Sequence, residues 1–237
     1  MKSKKRWSGL VPKEQSGIDR AYATSNKEKS VFILGHLFII LICGWILFFD
    51  GVTLADKPRS TLLFAVSVLY FTRHIITLFY LLMRKVTFSE VFGLLGFIAF
   101  FEIGLLLVGG GIFRQESIQF GCLDGIALLL LFIGSYLNTF SEFQRKWWKN
   151  DSVNKGHCYT GGLFAHSMHI NFFGDVVLFT GWVLLTHNLW TLGLPLLMML
   201  SFIFFHIPTL DAYLKKRYKE EFVTYAEKTK KLIPFVY

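Results

Sequence analysis

The sequence predicts an all-α fold, a multi-pass transmembrane helical bundle of about six spans with an amphipathic, basic C-terminal segment. Two observations carry this. Hydrophobic residues make up 53% of the 237-residue chain against 17% charged, and they fall in runs long enough to cross a hydrocarbon core of about 30 Å as helices. Lysine and arginine are pushed between those runs, mainly into every second connection.

Met1 to Ser30 reads as a basic, polar tail, and residues 31–237 as one transmembrane domain. The first span runs from Val31 to Phe49 and lacks a small-residue cleavage site, so it reads as a retained anchor. Asp50 to Ser60 makes a short loop around Pro58. Thr61 to Met83 forms the second span, interrupted by Tyr70, Arg73 and His74 and closed by Arg84 and Lys85. Thr87 to Phe113 forms the third, carrying Glu90 and Glu102 and ending in Gly109-Gly110-Gly111. Ser117 to Phe140 is the fourth, followed by an aromatic and basic segment from Ser141 to Thr160. Gly162 to Thr186 and Leu189 to Leu210 give the fifth and sixth, and Asp211 to Tyr237 is the amphipathic ending.

The charge tally orients the bundle. The N-terminal tail, the connections after the second and fourth spans and the C-terminal tail hold nearly all the cations, whereas Lys57, Arg59 and Arg114 stand alone on the other side. Both termini are therefore expected in the cytoplasm, at the endoplasmic reticulum in a eukaryote or the inner membrane in a bacterium. The net charge of +9 reads as topology signal and attraction to anionic lipid, with no nucleic-acid partner expected. Cys43, Cys122 and Cys158 show neither a disulfide framework nor metal-ligand spacing, and no metal is expected.

Ionisable groups within apolar runs cost about 2.5–3.5 kcal/mol each on insertion scales unless they are paired or wet. Asn138, Glu142, Arg145 and Lys149 recur at helical spacing and share one face. They form either a solvated helix end with a Glu142–Arg145 ion pair, or a strip able to hold phosphates and ribose. Asn171 and Asp175 share a face of the fifth span, preceded by His166 and His169. Helix–helix hydrogen bonding is the structural alternative there. On the second span Tyr70 and Arg73 lie three apart, with Glu102 as the expected partner of the arginine. The tyrosine then reads either as part of a structural pairing or as a proton donor to substrate.

The strings Gly161-Gly162-Leu163-Phe164 and Asn171-Phe172-Phe173-Gly174-Asp175, with the ending Tyr218, Tyr225 and Lys231-Leu232-Ile233-Pro234-Phe235, resemble the steroid 5-alpha-reductase family, in its membrane reductase-like branch. The Asn138-to-Glu142 spacing and Tyr70-Phe71-Thr72-Arg73 are similar too. The resemblance covers the second half of the chain, from about residue 117. It implies NADPH-dependent reduction of a carbon–carbon double bond conjugated to a carbonyl, on a lipophilic small molecule reached through membrane lipid. By motif position it implies a cofactor pocket lined by Asn138, Glu142, Asn171, Asp175 and Tyr213, with Lys149 in the place of a family arginine; Arg145, His169, Tyr218 and Tyr225 complete the expected pocket. Tyr70 would bond the substrate carbonyl, with Glu102 the candidate acidic partner; Asp175 stands where the steroid enzymes carry glutamate. Isoprenylcysteine carboxyl methyltransferases, which use S-adenosylmethionine, share the fold, but Met168-His169-Ile170 stands where they carry Arg-His-Pro. A non-catalytic, lipid-binding membrane protein is the third class.

Overall fold

The computed structural model describes residues 22–49 and 52–237, so the first 21 residues of the tail expected over Met1 to Ser30, with Asp50 and Gly51 of the first loop, lie outside the described residues. The architecture is the all-α bundle the apolar runs predict. Helix α1 spans Asn26–Phe48; α2 spans Lys57–Ile76 and continues through one π-helical turn, Thr77–Leu81; α3 spans Phe88–Gly109 and α4 Cys122–Asn150. Then follow α5 (Ile170–Leu184), α6 (Gly193–Ser201), a second π turn (Phe202–His206), α7 (Ile207–Tyr218) and α8 (Glu220–Lys228). Among the described residues, five helical stretches are long and apolar enough to cross a membrane: Asn26–Phe48, Lys57–Leu81, Phe88–Gly109, Cys122–Asn150 and Leu189–Tyr218.

Local chemistry sets most boundaries. Asp56 caps α2 by accepting from the Arg59 backbone N–H at 3.2 Å, with Pro58 in the first turn where its missing N–H is harmless. Thr87 caps α3 in the same way, its hydroxyl accepting from Glu90 N–H at 3.3 Å. The first span begins earlier than expected, at Asn26, because Lys29 is not a tail residue: its ammonium donates to the Leu82 carbonyl at 2.8 Å.

The fifth span is the clearest departure. Its helix starts at Ile170 instead of Gly162 and has 15 residues, a length of about 22 Å. Gly162 has a φ of 56° and leads only a short 3₁₀ turn, Gly162–Ala165. The residues after that turn are tied to the chain's end instead of to a helix. Met168 and His169 donate their N–H groups to the Lys230 and Lys231 carbonyls at 2.8 and 3.0 Å, and Ser167 Oγ donates to Leu232 O at 2.7 Å. The sixth span is longer than expected, running to Tyr218. Pro208 does not stop it, since the wider π turn immediately before the proline takes up the altered hydrogen-bond register. The C-terminal segment is amphipathic as read. It buries Phe222 and Tyr225 of α8 against Met168 and Tyr218.

At the end of the bundle where α2 and α4 begin, Arg59 is fully buried and ties four segments together. It pairs with Asp56 (3.2 Å) and Asp124, and donates to the carbonyls of Leu185 at 2.8 Å and Ile118 at 3.1 Å. Arg114 adds a second cation, 2.8 Å from Asp56, and His187 lies 3.0 Å from Asp124. Burial alone would raise the Asp56 carboxyl. The N–H groups of Ile118 and Arg59 and the two guanidinium groups overcome that and hold it below the usual carboxylate range.

Helices α4 and α5 run antiparallel at unusually close range, because glycines remove the side chains between them. A Cβ on Gly134 would lie 2.2 Å from the Leu178 nitrogen, and one on Gly174 2.5 Å from the Asn138 nitrogen. One on Gly181 would lie 2.5 Å from the Ala127 carbonyl. This backbone contact, typical of small residues at membrane helix interfaces, places the polar residues of α4 and α5 face to face.

Candidate functional site

Arg73 of α2 is the hub. Its Nη2 donates to Asn138 Oδ1 at 2.7 Å on α4 and to Asp175 Oδ1 at 2.9 Å on α5, joining three helices. Asn138 donates onward from Nδ2 to the Asn171 carbonyl at 3.0 Å, and Asn171 Nδ2 donates to Glu142 Oε1 at 3.0 Å. Glu142 closes the string by pairing with Arg145. The residues read from sequence on α4 and α5 are thus brought together, with Asn138 and Asn171 in direct contact. Two guanidinium nitrogens of Arg73, Nε and Nη1, are buried and carry no hydrogen bond among the described residues. A buried cationic donor without an acceptor is costly, and it is the feature of the site best suited to a polar ligand.

The expected Arg73–Glu102 pair is corrected. Arg73 takes Asp175, and Glu102 of α3 pairs instead with His36 of α1, Nε2 to Oε1 at 2.9 Å. Helix α3 packs against both α1 and α2, most extensively against α1, where His36 takes Glu102; the long Arg73 side chain reaches past it to Asn138 on α4 and Asp175 on α5.

Tyr70 lies one turn from Arg73, whose guanidinium carbon sits 5.2 Å from its ring centre. Its ring is boxed edge-on by His74 (4.3 Å between centroids), Trp182 (5.2 Å) and Phe179 (5.7 Å). The phenol makes no hydrogen bond among the described residues, so a hydroxyl donor stands in an aromatic, low-dielectric setting beside a cation. Such a group can hydrogen-bond and protonate an oxygen that gains negative charge.

Toward the end where α4 finishes, Lys149 donates to the Tyr218 hydroxyl at 3.1 Å, and Arg217 to the Tyr213 hydroxyl at 2.6 Å. Arg145 lies over the Phe164 ring at 5.6 Å. These cations and tyrosines make a partly exposed basic surface continuous with the α4 strip. His169 is buried and bonded to Asp211 at 2.8 Å, linking the start of α5 to α7. Tyr225 differs from the expected pocket residues: it is buried and its hydroxyl donates to the Phe164 carbonyl, which makes it a latch for the Gly162–Ala165 turn. Burial raises its phenol, so it stays a donor at physiological pH. Outside the membrane helices, Glu221 accepts from Cys158 N–H and from His157; these bonds lower its carboxyl.

Sequence reading missed His36, a single histidine in the first apolar run, and set Arg73 and His74 beside Tyr70 without giving either a role in the cofactor pocket. The available signal was cost. Each is an ionisable group within a membrane span, which needs a partner on another helix.

No curated protein matches the chain. A family model described as protein of unknown function, DUF1295, matches residues 83–229, which takes in helices α3 to α8 and so most of the polar site. That family includes steroid 5-alpha-reductase-like proteins. The match spans more than half of the chain, and the protein belongs to the DUF1295 family.

Proposed function

We propose that the protein is a membrane-embedded, NADPH-dependent reductase of a carbon–carbon double bond conjugated to a carbonyl. Its substrate is lipid-like, of steroid, isoprenoid or enoyl type, and enters laterally from the bilayer. The single observation carrying this reading is Arg73. It is held by Asn138 and Asp175 in the middle of the residues that the reductase resemblance assigns to a cofactor pocket, with two buried nitrogens free for a ligand.

The residues fit the cofactor's chemistry. Asn138, Glu142, Asn171 and Asp175 offer amides and carboxylates for ribose hydroxyls and a carboxamide. Arg145, Lys149 and Arg217 offer charge for phosphates on the side where the Lys/Arg bias places the cytoplasm. NADPH, when bound, supplies hydride to the beta carbon of the enone. Tyr70 hydrogen-bonds the carbonyl oxygen and yields its proton as negative charge develops there. Phe179 and Trp182 keep water from that oxygen. Arg73, in contact with the Tyr70 ring, stabilises the anionic phenolate that results.

The test works without an identified substrate. Purified protein in bicelles is supplied with a membrane lipid extract and NADPH deuterated at C4, in separate reactions for each face. One lipid species should gain a deuterium and a solvent proton from one of the two faces. Tyr70→Phe should slow that transfer by about a hundredfold or more. No transfer from either face, or an undiminished rate in Tyr70→Phe, contradicts the proposal.

A non-catalytic bundle is the second reading. It is favoured by the extent to which Glu142, Arg145 and Asn171 satisfy one another. It leaves the unpaired nitrogens of Arg73 without a purpose.

A further inference from the structure

Away from the cofactor residues, the core contains an unbroken line of three ionisable side chains. Glu102 Oε1 lies 2.9 Å from His36 Nε2, and His36 Nδ1 lies 3.2 Å from His74 Nδ1. The side chains of His36 and Glu102 are 0% and 1% exposed. His74 Nε2 has no partner among the described residues, and its ring lies against Tyr70. The three do not form a metal-holding group. The two imidazoles meet nitrogen to nitrogen, so one must donate and the other accept.

That contact fixes the proton count. One arrangement has Glu102 ionised, with His36 donating from Nε2 and His74 donating from Nδ1 to His36, which leaves His74 Nε2 bare. In the other, Glu102 is a neutral acid donating to His36 Nε2, His36 donates from Nδ1 to His74, and His74 carries its proton on Nε2. The two differ by one proton. Both histidines are neutral in both, and only their tautomers exchange. The second Glu102 oxygen, Oε2, is buried without a partner among the described residues. An unpaired oxygen is far less costly on a neutral acid than on a carboxylate, so the second arrangement suits this core.

We infer that Glu102, His36 and His74 form a proton relay that reloads Tyr70. A proton leaves His74 Nε2 for the phenolate; the His36 Nδ1 proton passes to His74 Nδ1, and the Glu102 proton passes to His36 Nε2. Glu102 ends as a carboxylate, and one proton taken up later from solvent water at His74 Nε2 and passed back along the same line restores the start. The relay's existence rests on the geometry alone; its service to Tyr70 rests on the reductase reading. The other ionisable groups facing it are Arg73 and Tyr70 of α2, Cys43 of α1 and Asp175 of α5.

Protein carrying ¹⁵N-labelled histidine, solubilised whole in detergent, is titrated by NMR. His36 and His74 should show a scalar coupling between their Nδ1 atoms. They should exchange tautomers together over a single one-proton step, with neither becoming an imidazolium. In Glu102→Gln the amide can pass no proton along the line, and the joint exchange should be lost. An imidazolium at either position in the wild type, absence of the Nδ1–Nδ1 coupling, or a joint exchange that survives in Glu102→Gln overturns the relay. The wild-type spectra decide even if the variant does not fold. Thermal stabilisation by NADPH, read on the same wild-type sample, separates the two ideas. Its loss removes the reductase reading and leaves the relay standing, whereas lost coupling with intact stabilisation removes the relay alone.

Discussion

Gly174→Ala is expected to lower stability by about 3 kcal/mol, the upper end of what overpacking does, and with it to dismantle the polar site. The added carbon would lie 2.5 Å from the Asn138 nitrogen and 2.8 Å from the Gly134 carbonyl. Both are backbone atoms on α4, so no side chain can swing aside. The helices must separate, and Asn138 and Asn171 separate with them. Gly134→Ala meets the Leu178 nitrogen at 2.2 Å and should behave alike. Gly125→Ala on the same helix meets nothing within 4 Å and is the matched control. Thermal unfolding in detergent reads the result. A Gly174→Ala protein as stable as Gly125→Ala would show that α4 and α5 do not touch as described.

Arg59→Leu should be comparably severe, about 3–5 kcal/mol. The guanidinium is the shared partner of Asp56 and Asp124 and satisfies two carbonyls from other segments. Removing it strands two buried carboxylates with only Arg114, His187 and backbone N–H groups left to them. Adding Asp124→Leu to Arg59→Leu should restore part of the loss, because one uncompensated charge leaves with its partner. A double variant less stable than the single one by the full effect of Asp124→Leu alone would contradict this.

Run lengths and charge placement made the helical, multi-pass architecture and the order of the apolar helices legible, since a membrane imposes both; the count of six spans was not, because the expected fifth is a helix of 15 residues. The face shared by Asn138, Glu142, Arg145 and Lys149 was legible for the same kind of reason, helical spacing on one continuous helix. Neighbours were not. Whether Arg73 finds Glu102 or Asp175 depends on which helices pack together, and periodicity within one span carries no record of its partners. The late start of α5 was hidden because Leu163, Phe164 and Ala165 are apolar enough to extend a span. Contacts far along the chain hold this stretch out of the helix: the Tyr225 hydroxyl on the Phe164 carbonyl, and residues 230–232 on Ser167, Met168 and His169. His36 was overlooked because one histidine in an apolar run has no pattern of its own. Its meaning appears when α1, α2 and α3 bring it between Glu102 and His74.

We propose that the cluster joining α2, α4 and α5 binds a nicotinamide dinucleotide. The most direct measurement is equilibrium dialysis of NADPH against the purified protein in detergent, with S-adenosylmethionine as the contrasting ligand. The wild type should bind NADPH at one site per chain and leave S-adenosylmethionine free. Asn171→Ala and Asp175→Ala should each weaken NADPH binding by about tenfold or more, the equivalent of one lost hydrogen bond to a charged group. Retention of S-adenosylmethionine in place of NADPH, or equal NADPH affinity in the wild type and both variants, would contradict the assignment.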